Sequence, residues 1–175
     1  IYPTLTYPCH ATIATGCWPD RTGINNNEIP DFFAKGRMDW YWWREAIQVP
    51  TVVDFARQAG LTASTVTWPV MCASGAEYNI GEIWAPREED DPTPWFTRAN
   101  SPAVAKIFEA NKHMLRWMKT PQMDEFAAKC AADIIRAHRP DLMLLHLSYV
   151  DHQRHRLGVH GDLEHAFRFI DGQMG

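Results

Sequence analysis

The stretch that most constrains this chain is Leu142-Met-Leu-Leu-His-Leu-Ser-Tyr-Val150, an apolar run of strand length between a helical pattern and a polar segment. Such a run fits a buried strand. The helical pattern ahead of it, Gln122–His138, is bounded by Pro121 and by Arg139-Pro140, and a further one, Ala103–Met118, lies before that. Upstream, Pro50-Thr51 opens a shorter helix, Val52–Ala59, which stops at Gly60 and gives way to the β-branched strand Thr62–Thr67. Helix-strand followed by helix-strand predicts an α/β fold whose parallel strands are joined by right-handed crossovers. The polar, proline-bearing stretch from Arg87 to Pro102 predicts a surface loop, with Glu88-Glu-Asp-Asp91 a solvated face. Leu163 to Met174 reads as a final helix.

Two segments at opposite ends of the chain carry chemistry. Directly after the strand comes Asp151-His-Gln-Arg-His155. In open α/β sheets ligands bind at the C-terminal edge of the strands, and a carboxylate with an imidazole suits zinc or another borderline divalent metal. Alone, the same pair also fits a surface ion pair. At the other end, Thr6 stands before Tyr7-Pro8 and a run of small and apolar residues that closes at Thr15-Gly16. Threonine is a favoured cap, proline is tolerated in a helix's first turn, and glycine is the usual stop. The expectation is a short helix capped by Thr6. Its hydroxyl would then lie at the positive end of the dipole, beside free N–H groups able to hold an anion such as phosphate.

Taken together, these segments resemble the type I phosphodiesterase/nucleotide pyrophosphatase family of the alkaline phosphatase superfamily. The resemblance rests on Tyr2-Pro-Thr-Leu-Thr-Tyr-Pro-Cys-His-Ala-Thr-Ile-Ala-Thr-Gly16. It continues through Trp18-Pro19, Gly23-Ile24 and Asn25-Asn-Asn27, and through Tyr149-Val-Asp151-His-Gln-Arg-His155-Arg-Leu-Gly158. It implies a parallel-sheet α/β sandwich of alkaline phosphatase type and two zinc ions, other divalent metals being possible. The family's nucleophile, the Thr before an aromatic-Pro pair, falls on Thr6, which is also a metal ligand. The family's oxyanion Asn, at its fixed spacing, falls on Asn27, and the metal-binding Asp-x-x-x-His on Asp151 and His155. Where the family usually has Asn-His after the proline, this chain has Cys9-His10. A second motif, Cys17-Trp-Pro-Asp-Arg21, looks like the sulfatase core. Its order relative to Thr15-Gly16 is reversed, however, and Cys17 reads as a packed loop cysteine.

A threonine hydroxyl needs activation to act as a nucleophile, and a pair of zinc ions about 4 Å apart can supply it while polarising the phosphoryl oxygen. The implied reaction is attack by Thr6 on phosphorus, a phosphothreonine intermediate and its hydrolysis, with Asn27 donating to a non-bridging oxygen. The resemblance also implies ligands outside this sequence: an Asp from a preceding strand, and an Asp-His pair and a further His beyond residue 175. Residues 1–175 are thus expected to be a partial catalytic domain, incomplete at both ends, since Ile1 stands in mid-motif and Gly175 within a helix. By itself this stretch is expected to be inactive and to bind metal weakly.

A formal charge of −4 offers no basic footprint for a nucleic-acid polymer, so the expected substrate is a small phosphate ester or nucleotide. No apolar run reaches the roughly 18 residues of a membrane span. Compartment and oligomeric state stay open. Cys9, Cys17, Cys72 and Cys130 are scattered and read as buried thiols. The tryptophans of Trp40-Tyr-Trp-Trp43, with Trp68 and Trp84, read first as packing and second as a face for a flat leaving group. His10, His146, His152, His160 and His165 read as structural or exposed, with His146 a hydrogen-bonded core histidine. The competing activities are phosphomonoesterase, phosphonate hydrolase or sulfatase of the same superfamily. Outside catalysis, the alternative is a binding domain that keeps the fold without metals.

Overall fold

Three strands, β1 (Ala63–Val66), β2 (Tyr78–Ile80) and β3 (Leu142–Leu145), pair in parallel in the order β2-β1-β3. This is a computed structural model, and it describes residues 4–30, 39–83, 93–115 and 119–175. Around the sheet lie α1 (Thr6–Thr15), α2 (Pro19–Thr22), α3 (Val52–Gln58), α4 (Thr93–Ala99), α5 (Ala105–Asn111), α6 (Gln122–His138), α7 (Tyr149–Leu157) and α8 (Glu164–Met174). Residues of a strand alternate between its faces, and β3 shows it. Met143 and Leu145 pack on a core that includes Phe96, Phe108, Phe126 and Ile134, whereas Leu142 and Leu144 pack on Val53, Ala63 and Ala76. The sheet is therefore covered on both sides, by α4–α6 and by α3. Central β1 is buried throughout, and its polar residues are satisfied. Ser64 Oγ donates to Tyr78 O at 2.8 Å, and Thr65 shares hydrogen bonds with Ser74 and Asn79.

The expected helix at Val52 forms behind a capping box. The Asp54 N–H donates to Thr51 Oγ1, and the Thr51 N–H returns to Asp54 Oδ2 at 2.7 Å. Arg44 pairs with the same carboxylate at 2.6 Å. Burial works to raise the Asp54 pKa, but Arg44 and Thr51 outweigh it and hold the carboxyl below its ordinary value. A depressed folded-state pKa contributes stability above the unfolded-state value, and that stability is lost as pH falls through the folded one. Asp54→Asn should accordingly lose less stability than the parent when urea midpoints at about pH 6 and about pH 3 are compared. Equal losses would show that this carboxylate takes no part in the acid transition.

Three expectations need correction, and one strand was not expected at all. The strand at Leu142 ends at Leu145 rather than Val150: His146 N–H makes one more bond, to Val66 O, and the Ser148 and Tyr149 N–H groups then turn to the Asp124 carboxylate as the chain enters α7. Asp151 thus lies in a helix's first turn. The stretch expected as a loop contains α4 at Thr93–Ala99, where Pro94 occupies the first turn and Phe96 and Ala99 are buried. The expected helix Ala103–Met118 is, over its described residues, broken into α5 flanked by 3-10 turns at Pro102–Val104 and Lys112–Met114, and residues 116–118 lie outside the described ones. Finally, β2 went unforeseen: three residues with a central Asn show no strand pattern. Trp84 and the acidic run Glu88–Asp91 lie outside the described residues.

Candidate active site

Helix α1 presents Thr6 as its first residue, not as its cap, which is Leu5. A capping side chain serves the N–H of the second or third helical residue. Here Pro8 has no N–H, and the Tyr7 N–H donates to Asn27 Oδ1 at 2.9 Å. Asn27 does the cap's work from twenty residues away, which leaves Thr6 without a capping role. The expected nest of free first-turn N–H groups shrinks accordingly. Because its oxygen is engaged, Asn27 has Nδ2 to offer as donor. The helix closes at Gly16, whose φ of 68° suits a residue without Cβ.

On α7, Asp151 and His155 are one turn apart, with His155 Nε2 3.5 Å from Asp151 Oδ2. Both are exposed. Parallel pairing of β1 with β3 sets where α7 begins, and α1 and α7 both contribute to one cavity. Thr6, Asn27, Asp151 and His155 all line this cavity of about 290 Å³. The cavity sits where β2 and β3 end, since Glu82 and His146, just beyond those strands, line it too. At the end of β1, Thr67 adopts φ 49°, a strained conformation for a β-branched residue. Hydrogen bonds hold it there, its N–H to Ile80 O and its hydroxyl to His146 O, each at 2.8 Å.

Sequence reasoning missed Glu82. It is 4 % exposed, accepts from Tyr7 Oη at 2.9 Å and lies 3.4 Å from His146 Nδ1. Burial disfavours the His146 imidazolium, but Glu82 and, further off, Asp124 outweigh burial and raise its pKa above the ordinary value. His10 packs edge-on against His146 and Trp68, and its Nδ1 lies 2.7 Å from Thr6 O. Burial and the neighbouring His146 lower its pKa. One network therefore ties Tyr7 and the Thr6 carbonyl to the ends of β2 and β3. Gly81 sets the position of Glu82: a Cβ there would meet Ala99 Cβ and Cys72 Sγ at 2.7 Å. His146 was expected in the core; it is paired with Glu82 as foreseen, but its side chain is 16% exposed and it faces the cavity. His152 lines it as well.

The donor set fits a divalent ion in part. A carboxylate, an imidazole and a hydroxyl facing one cavity are zinc-compatible. Among the described residues, however, no group of three or more His, Cys, Asp or Glu is placed to hold a metal. Cys17 is free and does not line the cavity. Cys72 and Cys130 are buried free thiols, the latter pushed up to about 12 by burial and Asp133. Of the described tryptophans only Trp40 reaches the cavity, edge-on to Tyr7 at 5.3 Å. Trp42 is buried, and Trp43 lies under the Arg98 guanidinium at 4.2 Å. No helix among the described residues is long and apolar enough to cross a membrane.

The profile of the type I phosphodiesterase / nucleotide pyrophosphatase family matches residues 1–175. The chain belongs to this family. Venom phosphodiesterase 2 of Crotalus adamanteus is 27% identical over 186 residues, covering 100% of this chain and 19% of its own length. Ectonucleotide pyrophosphatase/phosphodiesterase family member 1 of Homo sapiens is 25% identical over 192 residues, covering 100% of this chain and 16% of its own. The chain thus spans about a fifth of the length of such curated relatives. Among solved structures, phosphonoacetate hydrolase from Sinorhizobium meliloti 1021 in complex with phosphonoformate superposes with a TM-score of 0.56 at 18% identity. That match covers 98% of this chain and 41% of the hydrolase. The fold is that of the alkaline phosphatase superfamily, an α/β architecture on a parallel sheet, represented here in part.

Proposed function

We propose that residues 1–175 are a partial catalytic domain of a hydrolase that cleaves phosphodiester or pyrophosphate bonds through Thr6 with the help of two zinc ions. One observation carries the reading. Thr6, Asn27, Asp151 and His155, from motifs at opposite ends of the chain, line one cavity at the C-terminal edge of a parallel sheet. Family membership supports it.

Thr6 Oγ1 attacks phosphorus, the bond to the leaving oxygen breaks and the leaving group departs with a proton, so that a phosphothreonine carrying the remaining ester group forms. Water then cleaves the Thr6–phosphorus bond, releases the phosphate monoester and restores the hydroxyl. The Asn27 amide, oriented by Tyr7 N–H, aims Nδ2 at a non-bridging oxygen as charge develops there. Asp151 and His155 would supply donors for one ion, and Thr6 would share the other. Bound zinc lowers the pKa of a coordinated hydroxyl and polarises the phosphoryl group. Among the described residues the donors facing the cavity are too few for two ions, since each zinc takes three or four protein ligands.

The test uses the full-length, zinc-loaded protein and compares an aryl phosphodiester with its matching monoester. Faster diester cleavage supports the assignment. A monoester preference keeps the nucleophile and changes the substrate class. Zinc-loaded protein inert toward both would move the substrate to phosphonates or sulfate esters, and a protein that takes up no zinc would be a binding domain.

A further inference from the structure

Asp124 is 2 % exposed, in the first turn of α6, and its carboxylate serves another helix. Oδ1 accepts from Ser148 N–H at 3.0 Å and from Ser148 Oγ at 3.1 Å, and Oδ2 accepts from Tyr149 N–H at 2.7 Å. These are the residues that open α7. Ser148 occupies the cap position yet makes no capping hydrogen bond of its own. The cap is supplied instead by a buried anion from α6. Hydrogen bonds to an ionised acceptor are the strong ones, and a helix's positive end reinforces them. Asp151 belongs to the same first turn and His155 follows one turn on.

We propose that Asp124 is the positioning residue of the Asp151–His155 pair. Its carboxylate fixes the start of α7 against α6, so that both donors enter the cavity holding Thr6 and Asn27. This rests on the reading of Asp151 and His155 as metal donors. A merely structural Asp124 would affect stability alone; a positioning Asp124 also sets how tightly, and in what geometry, the ion is held. In Asp124→Asn the shape is kept, but the charge is lost and an NH₂ replaces one acceptor among three donors.

The experiment titrates zinc into the full-length protein, its Asp124→Asn, Ser148→Ala and Asp151→Asn variants, and records cobalt(II) absorption spectra and thermal midpoints. Expected is the loss of one ion in Asp151→Asn. For Asp124→Asn the same ion should bind about ten- to a hundredfold more weakly, with an altered cobalt spectrum. Ser148→Ala, which removes one of three hydrogen bonds, should fall between Asp124→Asn and the parent. Parental affinity and spectrum in a folded Asp124→Asn protein, with the ion lost in Asp151→Asn, would overturn the proposal and leave the metal reading standing. Two ions retained in Asp151→Asn would overturn that reading and the proposal with it. If Asp124→Asn does not fold, Ser148→Ala decides, and parental affinity and spectrum there count against the proposal.

Discussion

Replacing Thr6 by alanine should stop phosphodiester turnover in the full-length, zinc-loaded protein, by about a thousandfold or more, as loss of a nucleophile does elsewhere. Zinc content and the thermal midpoint should barely move. The second half of that expectation follows from the geometry of α1. Were Thr6 the helix cap, its loss would cost about 1 kcal/mol. It is the first helical residue, however, and the capping bond belongs to Asn27. Alanine is the best helix former, so the substitution removes a hydroxyl from the cavity and little else. Thr6→Ser, which restores a hydroxyl, should recover part of the rate. Near-parental turnover in Thr6→Ala would place the nucleophile elsewhere.

Asn27 allows a similarly clean separation. In Asn27→Asp an oxygen remains to accept the Tyr7 N–H, so α1 keeps its remote cap and the helix end gains a favourable charge. What disappears is the amide donor, and a carboxylate oxygen now faces the phosphoryl group. Turnover should fall about 10²–10³-fold, the range for loss of one oxyanion donor, with the midpoint close to the parent's. Asn27→Ala should lose rate and stability together, since the Tyr7 N–H is orphaned as well. If steady-state kinetics put Asn27→Asp within a few fold of the parent, the amide has no part in stabilising the transition state.

Local signals accounted for much of the fold. Gln122–His138 stands between Pro121 and Arg139 as its punctuation implied, and Gly16 stops α1. The four site positions, inferred from motifs, share a cavity. Their local settings were harder to read. Leu147, Ser148 and Tyr149 extend an apolar run, and only Asp124, more than twenty residues away, turns them into a helix start. In sequence, Asp124 looks like an ordinary acidic residue in a helix's first turn, favourable to its own dipole. Glu82 meets Tyr7 across 75 residues, and a lone glutamate between Gly81 and Ile83 gives no sign of burial. The helix at Thr93 did leave a trace, a threonine followed by proline and two aromatics, but its proline content favoured a loop.

The cavity is shared by two segments distant in sequence, with Thr6 and Asn27 in one and Asp151 and His155 in the other. Contacts between such distant segments are slow to form, because the chain between them must be ordered first. The hydroxyl, the amide and the acidic-imidazole pair therefore become neighbours only when these long-range contacts form, and a chain in which the two segments have not met has no place for a phosphate ester beside Thr6.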